Sequence, residues 1–284
     1  MRYDAHIHML LDGEDWRAAI ARHKTAPEEG YIRAVLARYR ARGVTHLRDG
    51  GDRWGVCTRA ARLAGEYGID YKTPAFPIYK AGCYGSFIGR GYEDLSEYGT
   101  LVERAACEGA DFIKIMISGI MDFDRFGVIT GEPYAPEDIR ELIRIAHAAG
   151  FRVMAHANGA RTVQAAAEAG VDSVEHGAYL DEAALRAMAE HGTLWTPTIV
   201  TIGNLIGCGR YPDDVLRPLF RLHAENIRQA AAFGVPIAVG SDAGAYRVLH
   251  AQGAADERRY LEELMGRDAE ALRRGEQAMD KWFT

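Results

Sequence analysis

Six side chains of types that bind metal ions lie within or at the end of apolar, β-rich segments: His6, His8, Lys114, His156, His176 and Asp242. Residues two apart on a strand project from the same face, so the opening Asp-Ala-His-Ile-His could offer two imidazoles to one ion. The other four side chains could complete a two-metal centre. A His-x-His pair alone is equally typical of an ordinary core or surface dyad, so the prediction depends on whether the fold brings the six together.

The composition is that of an ordinary globular protein. The 284 residues are 48% hydrophobic and 26% charged, with a formal net charge of −6. The negative net charge does not indicate a basic surface that would bind nucleic acid or an anionic membrane. No apolar run is long enough to span a bilayer. We therefore expect a small-molecule substrate and no nucleic-acid or membrane partner. The sequence leaves homo-oligomerisation open.

The chain start and the cysteines indicate a cytoplasmic protein. The sequence Met-Arg-Tyr-Asp-Ala-His lacks the basic-then-apolar profile of a signal peptide. The four cysteines are widely spaced and include no Cys-x-x-Cys pair, which predicts reduced thiols rather than disulfides or a thiolate metal site. They are Cys57, Cys83, Cys107 and Cys208.

Short β-rich runs alternate with longer segments of helical periodicity, as a βα repeat requires. The predicted strands are Tyr3–His8, Val44–Arg48, Tyr71–Tyr79, Phe112–Ile117, Arg152–His156, Ser173–His176, Leu194–Val200 and Pro236–Ser241. The predicted outer helices are Tyr31–Arg42, Arg53–Tyr67, Glu137–Ala149, Arg161–Ala169, Glu182–Glu190 and Asp213–Phe233. Glycines that favour a left-handed helix stop follow several of them: Gly43, Gly150, Gly170, Gly192 and Gly234. The pattern predicts an α/β protein with a (β/α)₈ TIM barrel.

No Ser/Gly-rich or Pro-rich linker divides the chain, so we predict one domain over residues 1–284. The longer loops, Ala81–Gly91 and Gly119–Pro136, follow the third and fourth strands. Loops that follow strands gather at the catalytic face of such a barrel. The six candidate ligands, which lie in or end strands one, four, five, six and eight, are expected to face that mouth together.

This order of ligands resembles the amidohydrolase superfamily, whose two-metal members carry His-x-His, a carboxylated lysine, two histidines and an aspartate on those strands. The local sequences are similar to its imidazolonepropionase-like and Xaa-Pro dipeptidase-like branch: Thr45-His-Leu-Arg-Asp, Phe112-Ile-Lys-Ile-Met, Met154-Ala-His-Ala-Asn-Gly, Val174-Glu-His-Gly and Gly240-Ser-Asp-Ala-Gly. Typical members add a small β-sandwich built from both chain ends. Here the first strand starts at once and helix-like sequence, Asp268 to Phe283, ends the chain. We therefore expect no accessory β-sandwich.

Lys114 is the most discriminating residue of the set. An ammonium among Phe112, Ile113, Ile115 and Met116 would be costly, and desolvation favours the neutral amine. A neutral amine can add carbon dioxide, and the resemblance implies that the resulting carbamate bridges two ions. The alternative is a lysine paired with a buried acid. Nitrogen and oxygen ligands without thiolate suit zinc, with manganese, iron or cobalt as alternatives.

The resemblance also implies catalytic roles for Lys114, His176 and Asp242. Two ions can lower the pKa of water and polarise a carbonyl. Lys114 and His176, together with His156, would hold the ion that polarises the substrate carbonyl. Asp242 would accept the proton during attack and deliver it to the departing nitrogen. The alternative is that Asp242 is only a helix cap or turn residue, since Asp is common at both.

Substrate identity depends on the loops rather than on the strand ends. Catalytic-face loops are predicted to carry Tyr79, Lys80, Tyr84, Arg90 and Arg247, where a cation could bind the carboxylate of an N-acyl amino acid, dipeptide or cyclic amide. Each of these is also typical of a solvated charge or a packing aromatic.

Six further histidines are not expected to be ligands: His23, His46, His147, His191, His223 and His250. Four of them lie in helical or connecting sequence and are predicted to be solvated or packing residues. His46 and His250 are left open, since His250 could touch substrate from the last catalytic-face loop.

Three functions are compatible with the ligand set. The leading prediction is a metal-dependent hydrolase of an amide or cyclic amide bond. A lactonase or phosphoester hydrolase is second, because the same centre can attack those groups. A noncatalytic metal-binding barrel is third.

Overall fold

A ring of parallel strands surrounded by helices forms the protein, described by a computed structural model over residues 2–267 and 269–284. Asp268, the first residue of the predicted C-terminal helical segment, lies outside the described residues. The strands are β1 (Tyr3–Ile7), β2 (His46–Asp49), β3 (Asp70–Lys72), β4 (Pro77–Lys80), β5 (Arg90–Tyr92), β6 (Ile113–Met116), β7 (Val153–Ala157), β8 (Ser173–His176) and β9 (Leu194–Thr196). The helices are α1 (Trp16–Arg22), α2 (Glu29–Ala41), α3 (Val56–Ala64), α4 (Leu95–Cys107), α5 (Pro136–Ala148), α6 (Ala160–Glu168), α7 (Glu182–His191), α8 (Val200–Gly203), α9 (Asp213–Phe233), α10 (Gln252–Met265) and α11 (Glu270–Asp280), with a short 3₁₀ turn at Gly65–Tyr67.

Two parallel sheets make up the ring, in the orders β1-β2-β3 and β5-β4-β6-β7-β8-β9. The predicted third strand, Tyr71–Tyr79, is divided into β3 and β4. Pro74 lacks an N–H that could donate to a neighbouring strand, and Ala75 has a φ of 62°. Regular strand pairing is therefore interrupted between β3 and β4. Because β3 and β4 are consecutive parts of one segment, the two sheets are continuous at this point.

The predicted eighth strand, Pro236–Ser241, links the other two sheet edges through single bridges and is not a regular strand. Trp195 N donates to Pro236 O and Ala238 N donates to Trp195 O, both at 2.9 Å. On the other side, Ala5 N donates to Val239 O at 2.9 Å. The segment therefore joins β9 to β1 and completes a ring of eight strand positions, which confirms the predicted (β/α)₈ TIM barrel.

The seventh predicted strand, Leu194–Val200, was too long. β9 ends at Thr196, because Pro197 and the φ of 49° at Thr198 turn the chain, and Val200 begins α8. The six predicted helices correspond to α2, α3, α5, α6, α7 and α9, and the five predicted stop glycines all have positive φ. All of the described strands belong to these two sheets. That residues 1–284 form one domain stays a prediction.

Strand alternation separates the outer core from the barrel interior. In β7, Val153, Ala155 and Ala157 belong to the core beneath the surrounding helices. Met154, on the opposite face, packs with Phe112 in a separate interior cluster. His156 follows Met154 on that inward face, nearer the C-terminal end of the strand. The apolar floor of the barrel thus lies below a layer of polar side chains. Among the described residues, no helix has the length and apolar character needed to cross a membrane.

Candidate active site

A cavity of about 430 Å³ lies at the C-terminal ends of the strands, and all six predicted ligand side chains line it. They are His6, His8, Lys114, His156, His176 and Asp242. Both predicted loops contribute to the wall: the one after β4 supplies Tyr84 and Phe87, and the one after β6 supplies Met121 and Phe123. The strand ends therefore bring the six ligand-type side chains together, and residues of the two loops cover them.

His6, His8 and Asp242 form one group. Asp242 Oδ1 lies 3.5 Å from His6 Nε2 and 3.3 Å from His8 Nε2, and the two Nε2 atoms are 3.3 Å apart. The three potential ligand atoms all lie within 4.8 Å of one another, which is close enough for them to hold one divalent ion. A Cβ on Gly50 would lie 2.4 Å from His8 Cε1, so the position of the His8 ring requires glycine there.

His156 and His176 form the adjoining part of the site. Their ring centroids are 4.6 Å apart, and the His176 ring is 5.1 Å from that of His6. His156 Nε2 donates to Gly119 O at 3.0 Å, which leaves Nδ1 as the free lone pair. His176 Nδ1 lies 2.9 Å from Thr198 Oγ1, which leaves Nε2 available. Burial lowers the pKa of His156 to about 3, so its imidazole is neutral, as a metal ligand must be.

Lys114 is almost fully buried, and its Nζ has no hydrogen-bond partner among residues 2–267 and 269–284. Burial is the main cause that lowers the pKa of Lys114, to about 8, although Glu175 acts in the opposite direction. The alternative of a lysine directly paired with a buried acid is therefore wrong. A buried amine that is easily deprotonated and lacks a partner can accept an additional group.

Glu175 and Arg48 support the first group from below, and neither was predicted as a site residue. Glu175 Oε2 accepts a hydrogen bond from His6 Nδ1 at 2.8 Å, which directs His6 Nε2 towards Asp242. Glu175 Oε1 accepts one from Arg48 Nη2 at 2.8 Å. Burial raises the pKa of Glu175, but Arg48 and His6 outweigh it and the pKa falls to about 2. The sequence signal that could have identified Arg48 and Glu175 is that each is a charged residue within a predicted strand.

Backbone strain also concentrates here. His176, Thr198 and Asp242 have φ values of 69°, 49° and 58°, a left-handed conformation that costs non-glycine residues about 1–2 kcal/mol each. The Asp242 backbone N–H donates to His6 O at 2.7 Å, which fixes the carboxylate beside the histidines. Such strain persists where the surrounding structure enforces it and is typical of functional sites.

The predicted substrate-binding cations do not line the cavity. Lys80 Nζ pairs with Asp138 Oδ2 at 3.0 Å, and Arg90 pairs with Glu108 at 2.7 Å. Arg247 and Tyr79 also lie outside the cavity wall, so Tyr84 alone of the five predicted loop residues lines it. The structure agrees with the alternative of solvated loop charges for Lys80 and Arg90, because surface acids pair with both of them.

His250, which was left open, is a packing residue. Its Nε2 donates to Leu11 O at 2.8 Å, and its Nδ1 lies 3.3 Å from Tyr39 Oη. His46 is also outside the site: its ring lies between Tyr3 and Phe283, with both centroids 4.9 Å away. Neither histidine lines the cavity.

Comparisons with known proteins agree with this geometry. Residues 3–281 match the family model described as "Amidohydrolase family". Imidazolonepropionase from Ectopseudomonas mendocina (strain ymp) is 32% identical over 147 residues, which are 50% of this chain and 30% of that protein. Ochratoxinase from Aspergillus niger is 29% identical over 196 residues, 64% of this chain and 38% of that protein. The chain thus spans well under half the length of either curated relative.

A solved structure supports the fold over nearly the full length. A Xaa-Pro dipeptidase, crystallised with methionine bound in its active site, superposes with a TM-score of 0.79 at 22% identity. The match covers 99% of this chain and 74% of that one. The resemblance to the amidohydrolase family is confirmed by the match over residues 3–281; the imidazolonepropionase and the Xaa-Pro dipeptidase are proteins to which this chain is similar.

Proposed function

The chain belongs to the amidohydrolase family, and on this premise we propose that it is a metal-dependent hydrolase of an amide or cyclic amide bond in a small substrate. The convergence of six ligand-type side chains on one cavity carries this proposal. The names of its relatives add support, because a dipeptidase acts on an amide bond.

The donor set fits a binuclear centre. His6, His8 and Asp242 would hold one ion, His156 and His176 would hold the other, and Lys114, carboxylated by carbon dioxide, would add an oxygen donor to the centre. The unpartnered, buried Nζ of Lys114 supports this assignment. Zinc suits nitrogen and oxygen donors, with manganese, iron or cobalt as alternatives. When bound, such ions lower the pKa of water and polarise a carbonyl.

Asp242 would carry the proton. Burial raises the pKa of its carboxyl, but the neighbouring His6 and His8 lower it overall, so the carboxylate is ionised and able to accept a proton. It would take the proton of the attacking water and pass it to the leaving nitrogen. Glu175 would keep His6 in the tautomer whose Nε2 faces Asp242.

The test is a hydrolysis screen of metal-loaded protein on amides, cyclic amides, Xaa-Pro dipeptides, lactones and phosphotriesters. We expect amide turnover that a chelator abolishes and added metal restores. Asp242→Asn should lower turnover by about 10²-fold or more while most of the metal is retained, on the scale of positioned acid–base catalysis.

Three results would count against parts of this account. A metal-loaded protein that cleaves no amide would refute the amidohydrolase function. Exclusive cleavage of lactones or phosphotriesters would favour the second functional class. Near-wild-type turnover by a fully metallated Asp242→Asn variant would remove Asp242 from proton transfer.

A cytoplasmic location is part of the proposal. The four cysteines are all free in the structure, which supports a reducing compartment. Detection of the native protein in cell fractions tests this assignment.

A further inference from the structure

The cavity wall around the ligand-type residues is uncharged. Apart from the six ligand-type residues, the described residues that line the cavity include no lysine, arginine, aspartate or glutamate. The wall contains mainly apolar and aromatic side chains, such as Trp16, Phe87, Met121, Phe123 and Leu205. Contact with such a wall favours apolar substrate groups and disfavours a charge that finds no partner.

Two neutral polar side chains of the wall, Asn158 and Thr201, already hydrogen-bond to the backbone. Asn158 Nδ2 donates to Gly119 O at 3.0 Å, and Asn158 Oδ1 accepts from Ala178 N at 2.9 Å. The hydroxyl of Thr201 donates to Thr198 O at 2.8 Å. These groups hold their own loops in place, so neither supplies a strong site for a substrate carboxylate.

Two arginines contact aromatic side chains of the wall without lining the cavity themselves. Arg210 Cζ is 4.4 Å from the Tyr246 ring centroid and 5.3 Å from that of Tyr211. Arg17 Cζ is 4.3 Å from the Trp16 ring centroid. All three rings line the cavity, whereas neither arginine does. The arginines are therefore held on aromatic faces by cation–π contacts.

An α-carboxylate on the leaving amine would sit only a few bonds from the scissile carbonyl, deep in the site beside Asp242. Resting on the proposed hydrolase function, we propose that the substrate is an uncharged amide: its leaving amine carries an apolar or aromatic group and no α-carboxylate. The wall around Phe123 and Leu205 then binds that group, and free dipeptides and N-acyl amino acids are poor substrates.

A matched pair of compounds tests this. Benzoyl-L-phenylalaninamide and benzoyl-L-phenylalanine share the same scissile benzamide bond and differ in one neutral or anionic group. With metal-loaded protein and benzoate release as the readout, we expect kcat/KM for the neutral compound to be higher by on the order of 10²-fold, the scale on which a mismatched polar group is rejected. Equal or reversed kcat/KM values would overturn the proposal.

Two variants locate the cause of any preference. Ile120→Arg places a cation on the cavity wall and should improve kcat/KM for the carboxylate by at least about tenfold relative to the neutral amide. Arg210→Gln should leave both values within about twofold, since Arg210 lies outside the wall. Loss of carboxylate turnover in Arg210→Gln would instead identify a carboxylate clamp and overturn the proposal.

Binding separates this inference from the proposed function. Titration calorimetry on the metal-loaded Asp242→Asn variant should show tighter binding of benzoyl-L-phenylalaninamide than of benzoyl-L-phenylalanine. Tighter binding of the carboxylate would overturn the substrate class even if neither compound is hydrolysed. Absence of hydrolysis across the amide screen, with the neutral compound still bound preferentially, would refute the hydrolase function and leave the ligand preference standing.

Discussion

Glu175→Gln tests how the buried charges support the site. The carboxylate accepts hydrogen bonds from Arg48, His6 and the hydroxyl of Ser173, and none of these partners is exposed by more than a trace. A glutamine retains the size of the side chain but removes its charge. It also offers one acceptor oxygen where the carboxylate offers two. The variant would therefore leave the Arg48 guanidinium buried without a counter-charge.

The magnitude follows from that uncompensated charge. Removing one partner of a buried ion pair costs about 3–5 kcal/mol. For a chain of this size, each kcal/mol lowers Tm by roughly 2–4 °C, so the variant should melt at least about 6 °C below wild type. Loss of the carboxylate behind His6 should also weaken metal affinity by about 10–100-fold, the usual effect of removing such a partner.

The assay is thermal unfolding with and without added metal, together with a competitive metal titration. The matched control is Glu182→Gln, because Glu182 also pairs with an arginine, Arg186, but their side chains are 63% and 60% exposed. An exposed pair contributes at most about 1 kcal/mol, so the control should melt near wild type. A Glu175→Gln protein with the Tm and metal affinity of the control would refute the reasoning.

Two further predictions concern other buried ionisable groups. Lys114→Met should leave the barrel folded, as measured by circular dichroism, but should empty or weaken the metal centre, and short carboxylates should partly restore metal binding. An unmodified Lys114 amine in a high-resolution map of the fully metallated, active enzyme would contradict the carbamate. Burial raises the pKa of Glu257 from 4.5 to about 8, so the folded chain keeps a proton that the unfolded chain has lost, and stability falls as pH rises from about 4.5 to 8. Glu257→Gln should remove that loss of stability, which is measured by unfolding both proteins at pH 5 and pH 8. A variant whose stability changes with pH as much as that of wild type would contradict the prediction.

The fold was predictable because its periodicity is local. Each βα unit carries its own strand run, helical pattern and stop glycine, and the positive φ of Gly43 and Gly234 follows directly from those helix ends. Helix α4 was missed although Asp94 and Glu97 supply an N-terminal signal: Asp94 accepts from Glu97 N at 2.9 Å, and Glu97 accepts from Glu93 N at 2.8 Å. The break between β3 and β4 was missed although the predicted strand contains Pro74 and Pro77, because prolines also occur at the ends and edges of strands.

The site was predictable only where strand ends fix it. His6, His8 and Asp242 meet because β1 and the segment 236–241 are neighbours in the closed ring and end at the same mouth. The order of the strands in the sequence predicts this arrangement. The sequence predicted two loops of the cavity wall but not the rest of it, since Trp16 and Leu205 come from other segments whose loop geometry has no periodic signal. Whether Lys80, Arg90 or Arg247 lines the cavity was left open for the same reason.

The metal content of the purified protein tests the central claim most directly. After expression with zinc or manganese, elemental analysis should find up to two divalent ions per chain, held by the six ligand-type side chains. A strong chelator should lower Tm, and added metal should restore it, because an ion that binds only the native state stabilises that state. Absence of metal from the purified protein, together with a Tm that added metal does not change, would contradict the account.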